Sequence, residues 1–172
     1  MKSDEPAPPP LVLGRFLPYR LSVAAELVSG LFAESYERRF GLTIAEWRVM
    51  AILGEAAPRS TQDVIERSAM DRVKVSRAAI RLADKGLIDR RPHPRDARAH
   101  ELRLTRRGRA VYEQIVPLAQ RLQAELAALL SAEERAQLEA ILDKLQAAAV
   151  AMRGAPGALP APEAQAPAAR AP

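Results

Sequence analysis

The stretch MDRVKVSRAAIRLADKGLIDRRPHPRDARAHELRLTRRGR, residues 70–109, decides the fold, because its hydrophobic period changes partway along. Asp71 is a good helix N-cap, and Val75, Ala79 and Leu82 then recur at the spacing of one helical face. Gly86 stops that helix just after Lys85, and Leu87 is placed to make the apolar contact beyond the cap. From there the period drops to two. Leu102 and Leu104 point one way while Glu101 and Arg103 point the other, and residues 87–91 supply a partner strand. The intervening PHPRDARA is a turn-rich tip, stiffened by Pro92 and Pro94.

Working outward, helical patterns flank this segment on both sides. Pro18 sits where a first helical turn tolerates it, followed by Leu21, Ala25, Val28, Phe32 and Tyr36, and Gly41 ends that helix. Thr43 with Glu46 and Ser60 with Asp63 form capping-box patterns that open two further helices. Beyond Thr105, Val111, Ile115, Leu118, Leu122, Leu126 and Leu129 make a long apolar stripe, which Pro117 should kink rather than end. Ser131 with Glu134 caps a last helix bearing Leu138, Ile141, Leu142 and Leu145. Residues 1–16 and 154–172 are rich in proline, the second also in alanine, and read as disordered tails.

Composition narrows the function. No Cys is present, which removes disulfides, thiolate catalysis and thiol redox sensing. The only imidazoles, His93 and His100, do not make a metal-binding pair, and phosphate-loop, dinucleotide and nucleophile-elbow motifs are missing. No cofactor or metal is implied, and nothing supports an enzyme. No apolar run reaches the roughly 18 residues of a membrane span, and MKSDEPAPPP lacks the features of a secretory signal. The reading is a cytoplasmic protein without membrane association.

Three short helices followed by a two-stranded ribbon make a winged helix-turn-helix, so the fold class is mostly α with a small β-hairpin wing. A helix of this kind fits the roughly 12 Å major groove, and the ribbon can reach an adjacent minor groove. Charge is distributed to match. Nine basic residues (Lys85, Arg90, Arg91, Arg95, Arg98, Arg103, Arg106, Arg107 and Arg109) stand against Asp89, Asp96 and Glu101. This segment therefore carries six net positive charges in a chain whose total is +5.

The sequence resembles the multiple-antibiotic-resistance regulators, the MarR family. The resemblance lies in GLTIAEWRVMAIL at 41–53, MDRVKVSRAAIRLADKGLIDRR at 70–91 and RDARAHELRLTRRGR at 95–109. Within these, Val75-Ser76-Arg77, then Leu82 with Lys85-Gly86-Leu87-Ile88, then Asp96 and Arg98, and finally Leu104-Thr105 follow the family's order, and the likeness extends over roughly residues 18–150. It implies a bacterial transcription regulator, most often a repressor, that binds a pseudo-palindromic operator in double-stranded DNA as a homodimer. It also implies an organisation with residues 17–41 as the first helix of a dimerisation lobe, 42–105 as the DNA-binding lobe and 106–153 as the C-terminal dimerisation helices. The apolar stripe at 111–145, too exposed for a lone chain of this size, agrees with that organisation.

Residue roles follow. On the helix from Asp71, the core stripe turns Arg72, Lys74, Ser76, Arg77 and Arg81 outward, and Arg72 and Arg77 are candidates to read bases. Ser60 and Thr61, at a helix N-terminus, suit a phosphate as well as a cap. Arg95 and Arg98 belong to the wing, Arg98 entering the minor groove, and by resemblance Asp96 pairs with a wing arginine and holds the loop in shape. His93 and His100 read as wing residues near DNA, and Trp47 as core. The resemblance further implies a small effector that releases DNA. With no Cys and only two wing histidines, an aromatic carboxylate or phenol is the default. Tyr19 and Arg20, opening the first helix, could reach its pocket, although an arginine at a helix start is more often simply solvated. An effector-independent DNA binder and a helical protein-interaction module are the alternatives.

Overall fold

A computed structural model describes residues 10–93 and 96–154, with the backbone alone for 93, 96–99 and 154. The reading of residues 1–9 and 155–172 as tails, and Arg95, lie outside the described residues. Residues 10–16, assigned to the N-terminal tail on composition, include a 3-10 turn at Leu13–Arg15 that buries nothing.

The order of elements is α1 (Leu17–Phe40), α2 (Ile44–Glu55), β1 (Arg59–Ser60), α3 (Thr61–Ser68), α4 (Arg72–Asp84), β2 (Ile88–His93), β3 (Asp96–Leu104), α5 (Arg106–Ala127) and α6 (Ala132–Gly154). The described residues form two compact units that divide after Leu122, with α5 running across the boundary. Local chemistry sets most of the boundaries. Both capping boxes form, at Thr43/Glu46 and Ser60/Asp63, and Asp71 caps α4. Gly41 and Gly86 adopt left-handed conformations (φ 62° and 66°) that an L side chain resists. Ser131 and Glu134 exchange the reciprocal bonds of a third box at the start of α6.

In the first unit, one apolar cluster gathers Leu42, Val49, Met50 and Leu53 from α2 and its approach, Val64 from α3, Val75, Ala78, Ala79 and Leu82 from α4, Leu102 from β3 and Ile115 from α5. Rings of Phe32, Tyr36, Trp47 and Tyr112 follow one another from α1 through α2 to α5, with centroid separations of 6.2, 5.1 and 5.9 Å. Trp47 is thus part of the packing, as read from sequence.

The sheet differs from a simple hairpin. Its order is β1-β3-β2, all antiparallel, with Arg59 opposite Leu102 and Ser60 opposite Glu101. The two wing strands also run farther than the alternation suggested. Pairing continues through Arg91 with Glu101 and Pro92 with His100 to a register irregularity at Pro92/His93, so much of PHPRDARA is strand rather than turn. Pro92 is tolerated because β2 lies on an edge of the sheet.

Candidate nucleic-acid interface

The recognition-helix candidate, α4, is built from its cap upward. Asp71 Oδ1 accepts the Lys74 amide at 2.7 Å, and this bond, reinforced by the Lys74 charge, holds the carboxyl below its ordinary value. One face of α4 is anchored: Val75 and Leu82 are fully buried, and Ala78 and Ala79 nearly so. The opposite face carries Arg72, Lys74, Arg77 and Arg81, all exposed, with Ser76 half-buried. Two apolar residues that the sequence reading passed over share that outer face, Val73 at 56 % and Ile80 at 46 % exposure. A three-four spacing from Val73 through Ser76 and Arg77 to Ile80 was the signal that could have found them.

The other candidates are placed unequally. Arg72 donates to Gln62 Oε1 on α3 at 3.0 Å, whereas Arg77, among the described residues, has no side-chain hydrogen bond or ion pair. Lys74, Arg77 and Arg81 line an open cleft of about 180 Å³ with Thr43 and Ala45 at the start of α2. Ser60 Oγ accepts the Asp63 amide at 3.0 Å, leaving its own proton to donate, while Thr61 Oγ1 donates to the His100 carbonyl at 3.4 Å. Thr61 therefore ties α3 to the wing as well as standing at the helix start. Of Asp96 and Arg98, only the backbone in β3 is described.

The basic segment is less uniform than its charge count. Arg103 Nε pairs with Asp89 Oδ2 at 3.3 Å across the base of the wing. Arg109 donates to the Gly54 carbonyl at 3.3 Å and lies over the Tyr112 ring. Lys85 reaches Glu46 and the Gly41 carbonyl. Arg90, Arg91, Arg106 and Arg107 stay exposed. Of the seven cations whose side chains are described, three thus serve local structure, because each lies within reach of a protein acceptor.

A second feature lies between α1 and α2. A cavity of about 200 Å³ is lined by Val28, Ser29, Phe32, Tyr36, Ile44, Trp47 and Arg48. Tyr36 is fully buried, its hydroxyl is without a partner among the described residues, and burial pushes its pKa up. Tyr19 and Arg20, read as reaching an effector pocket, stand exposed at the start of α1 and do not line this cavity. Among the described residues, no group of three or more acidic or imidazole side chains is placed to hold a metal, and no helix is long and apolar enough to cross a membrane.

Residues 40–99 match the sequence profile described as MarR family. The chain is 33% identical over 105 residues to the multiple antibiotic resistance protein MarR of Escherichia coli K12, a match spanning 60% of this chain and 73% of that protein. Among solved structures it is similar to a mutant MarR from E. coli complexed with operator DNA, at 30% identity and TM-score 0.68, covering 75% of this chain and 92% of that one. It is also similar to BpsR of Bordetella bronchiseptica, at 25% identity and TM-score 0.72, covering 80% and 98%, in a structure titled for the regulation of that protein's DNA binding by 6-hydroxynicotinic acid.

Proposed function

Because this chain belongs to the MarR family of DNA-binding transcription regulators, we propose that it is a repressor that grips a pseudo-palindromic operator as a homodimer and lets go when a small aromatic or anionic ligand binds. The observation that carries the proposal is the asymmetry of α4: one face locked into the core, the other a solvent-exposed surface of four cations. A helix held this way enters the major groove as a rigid probe. Arg77, unengaged within the described protein, reads a guanine, and Arg72 reads a second base while braced by Gln62. Val73 and Ile80 suit thymine methyl groups. Lys74 and Arg81 hold phosphates, as do Ser60 and Thr61 at the start of α3. Arg95 and Arg98 extend the grip into the minor groove, with Asp96 orienting a wing arginine.

Exposed apolar side chains support the homodimer. Leu17, Leu21, Leu27, Val28 and Leu31 on α1, and separately Leu138, Ile141 and Leu142 on α6, are all 38% exposed or more in the single chain. Such surfaces call for a partner, and a second copy of the chain supplies one. The α1–α2 cavity supports the effector: its size suits a single-ring compound, its walls are aromatic, and Arg48 and Ser29 offer donors to a carboxylate or phenolate. Release requires that such a ligand favour the conformation that does not fit DNA, since tight binding alone shifts nothing.

The test is fluorescence-anisotropy binding to the DNA upstream of the protein's own gene, against a scrambled duplex, over a salt series. Sequence-selective binding is expected, with a log–log salt slope of about 0.9 per phosphate contact and a loss of about 1–3 kcal/mol for Arg77→Ala. Arg98→Ala should weaken binding as well. Equal, weak binding to both duplexes, unchanged by either substitution, would rule out operator recognition at that DNA. Selective binding that no aromatic acid relieves would instead favour an effector-independent binder.

A further inference from the structure

Three helix ends converge on one ammonium group. Lys85 is the C-cap residue of α4, and its Nζ donates to the Gly41 carbonyl at 2.7 Å and to both oxygens of Glu46 at 3.0 Å. Gly41 is the C-cap of α1, and Glu46 is the N3 residue of α2. The carboxylate of Glu46 is 1% exposed and is held from its other side by the Thr43 amide at 2.8 Å and the Thr43 hydroxyl at 3.2 Å. All the donors of the lysine and both oxygens of the glutamate are committed within the protein.

The surroundings make this contact directional where its neighbours are not. The α2 and α4 residues in the core are Val49, Met50, Ile52, Leu53, Val75, Ala78, Ala79 and Leu82, and apolar burial of this kind tolerates rotation and sliding. An ammonium that must reach three fixed acceptors at once, at 2.7, 3.0 and 3.0 Å, does not. A solvent-exposed pair would contribute little, but removing Lys85 leaves the Glu46 charge buried without its counterion.

We propose that the Lys85–Glu46 tether is a positioning element that fixes the axis of α4 relative to α1, and thereby sets which half-site spacing the dimer accepts. Neither residue contacts DNA in this role: Glu46 is buried, and the lysine ammonium is spent on Gly41 and Glu46. The proposal rests on the homodimeric DNA-binding reading, since spacing has meaning only when two α4 helices are joined.

The test begins by selecting an operator from random duplexes with the full-length protein. Binding is then measured to that duplex and to versions with one base pair added or removed between half-sites, a change of about 3.4 Å and about 34°. Wild type, Lys85→Met, Lys85→Arg and Glu46→Gln are compared over a salt series, with sedimentation and circular dichroism on the same samples. Glu46→Gln keeps a side chain able to complete the capping box with Thr43 but removes the charge. Wild type should lose about tenfold in affinity on either spacing change, the scale of one misplaced base contact. Lys85→Met should bind the three duplexes within about threefold of one another, Glu46→Gln should fall between, and Lys85→Arg, which keeps the charge and can pair with the Glu46 carboxylate through two parallel bonds, should keep the wild-type ranking. The salt slope should not move.

Lys85→Met that keeps the wild-type ranking at uniformly lower affinity overturns the tether, as does a slope reduced by about 0.9, the signature of a lost phosphate contact. Should Lys85→Met fail to fold, Glu46→Gln decides by the same ranking. A wild type that is itself monomeric or indifferent to spacing overturns the homodimer reading and the proposal with it. A wild type that discriminates, beside variants that discriminate equally, overturns the tether alone.

Discussion

Gly108 lies in the first turn of α5, against the junction of α4 and the wing, and replacing it with alanine tests that packing directly. A Cβ there would stand 1.9 Å from the Leu87 carbonyl oxygen and 2.9 Å from its carbon, so the backbones must separate by more than an ångström to restore a tolerable contact. The same carbonyl accepts the Thr105 amide at 3.0 Å, while the Thr105 hydroxyl donates to the Gly86 carbonyl at 2.8 Å and accepts the Gly108 amide at 2.9 Å. Separation therefore disturbs a hydrogen-bonded junction as well as a van der Waals contact. Overpacking of this kind costs about 1–3 kcal/mol, and loss of a bond at the junction adds about 1. The higher helix propensity of alanine returns about 1, leaving a net destabilisation of about 1–3 kcal/mol. For a chain of this length that lowers Tm by about 2–12 °C. The assay is urea and thermal unfolding followed by circular dichroism, at one fixed protomer concentration because the proposed homodimer would contribute to stability. Gly108→Ala as stable as wild type, or more so, would refute the argument, since propensity would then outweigh the contact.

Leu82 is fully buried and Val73 is 56 % exposed on the same helix, so Leu82→Ala should cost about 2–5 kcal/mol in unfolding while Val73→Ala leaves stability nearly unchanged and weakens DNA binding. Asp71 has its pKa depressed below the ordinary 3.8, so its capping contribution is complete above that value and is lost as pH falls through the lower folded value. Asparagine caps without titrating, so the stability difference between wild type and Asp71→Asn should stay constant at neutral pH and shift in favour of the variant under acid, as read by denaturant midpoints across pH. Ile141 and Leu142, at 54 % and 38 % exposure on α6, should tolerate paired substitution by glutamate within the folded chain, and sedimentation should then report a monomer.

Much of the architecture is legible because it is written in local chemistry. Thr43 with Glu46, Ser60 with Asp63, Asp71, and Ser131 with Glu134 each lie within one helical turn, so a capping bond can be read from four adjacent letters. The buried face of α4 is equally visible, since Val75, Ala79 and Leu82 repeat at a helical period. Sequence separation hides the rest. Arg59 and Ser60 show no alternation of their own and become a strand only because β3, some forty residues later, offers them an edge. Glu46 reads as a capping residue, and nothing local reveals that Lys85, 39 positions away, returns to it. Counting charge locates the basic region but not its direction, because a count cannot show that Asp89 lies within reach of Arg103 and the Gly54 carbonyl within reach of Arg109.

The third strand has a practical consequence for anyone rebuilding this protein from parts. Ser60 pairs with Glu101 in β3 while its hydroxyl caps α3, and Thr61 bonds to the carbonyl of the neighbouring His100. A wing borrowed from a relative and spliced in at residues 88 and 104 would therefore arrive without the short strand against which it is seated. The exchangeable cassette is discontinuous, comprising the ribbon and residues 59–61 together. Chimeras that carry both pieces should keep the ribbon aligned with α3, whereas those that carry the ribbon alone should inherit the donor's charges on a mount shaped for a different side chain.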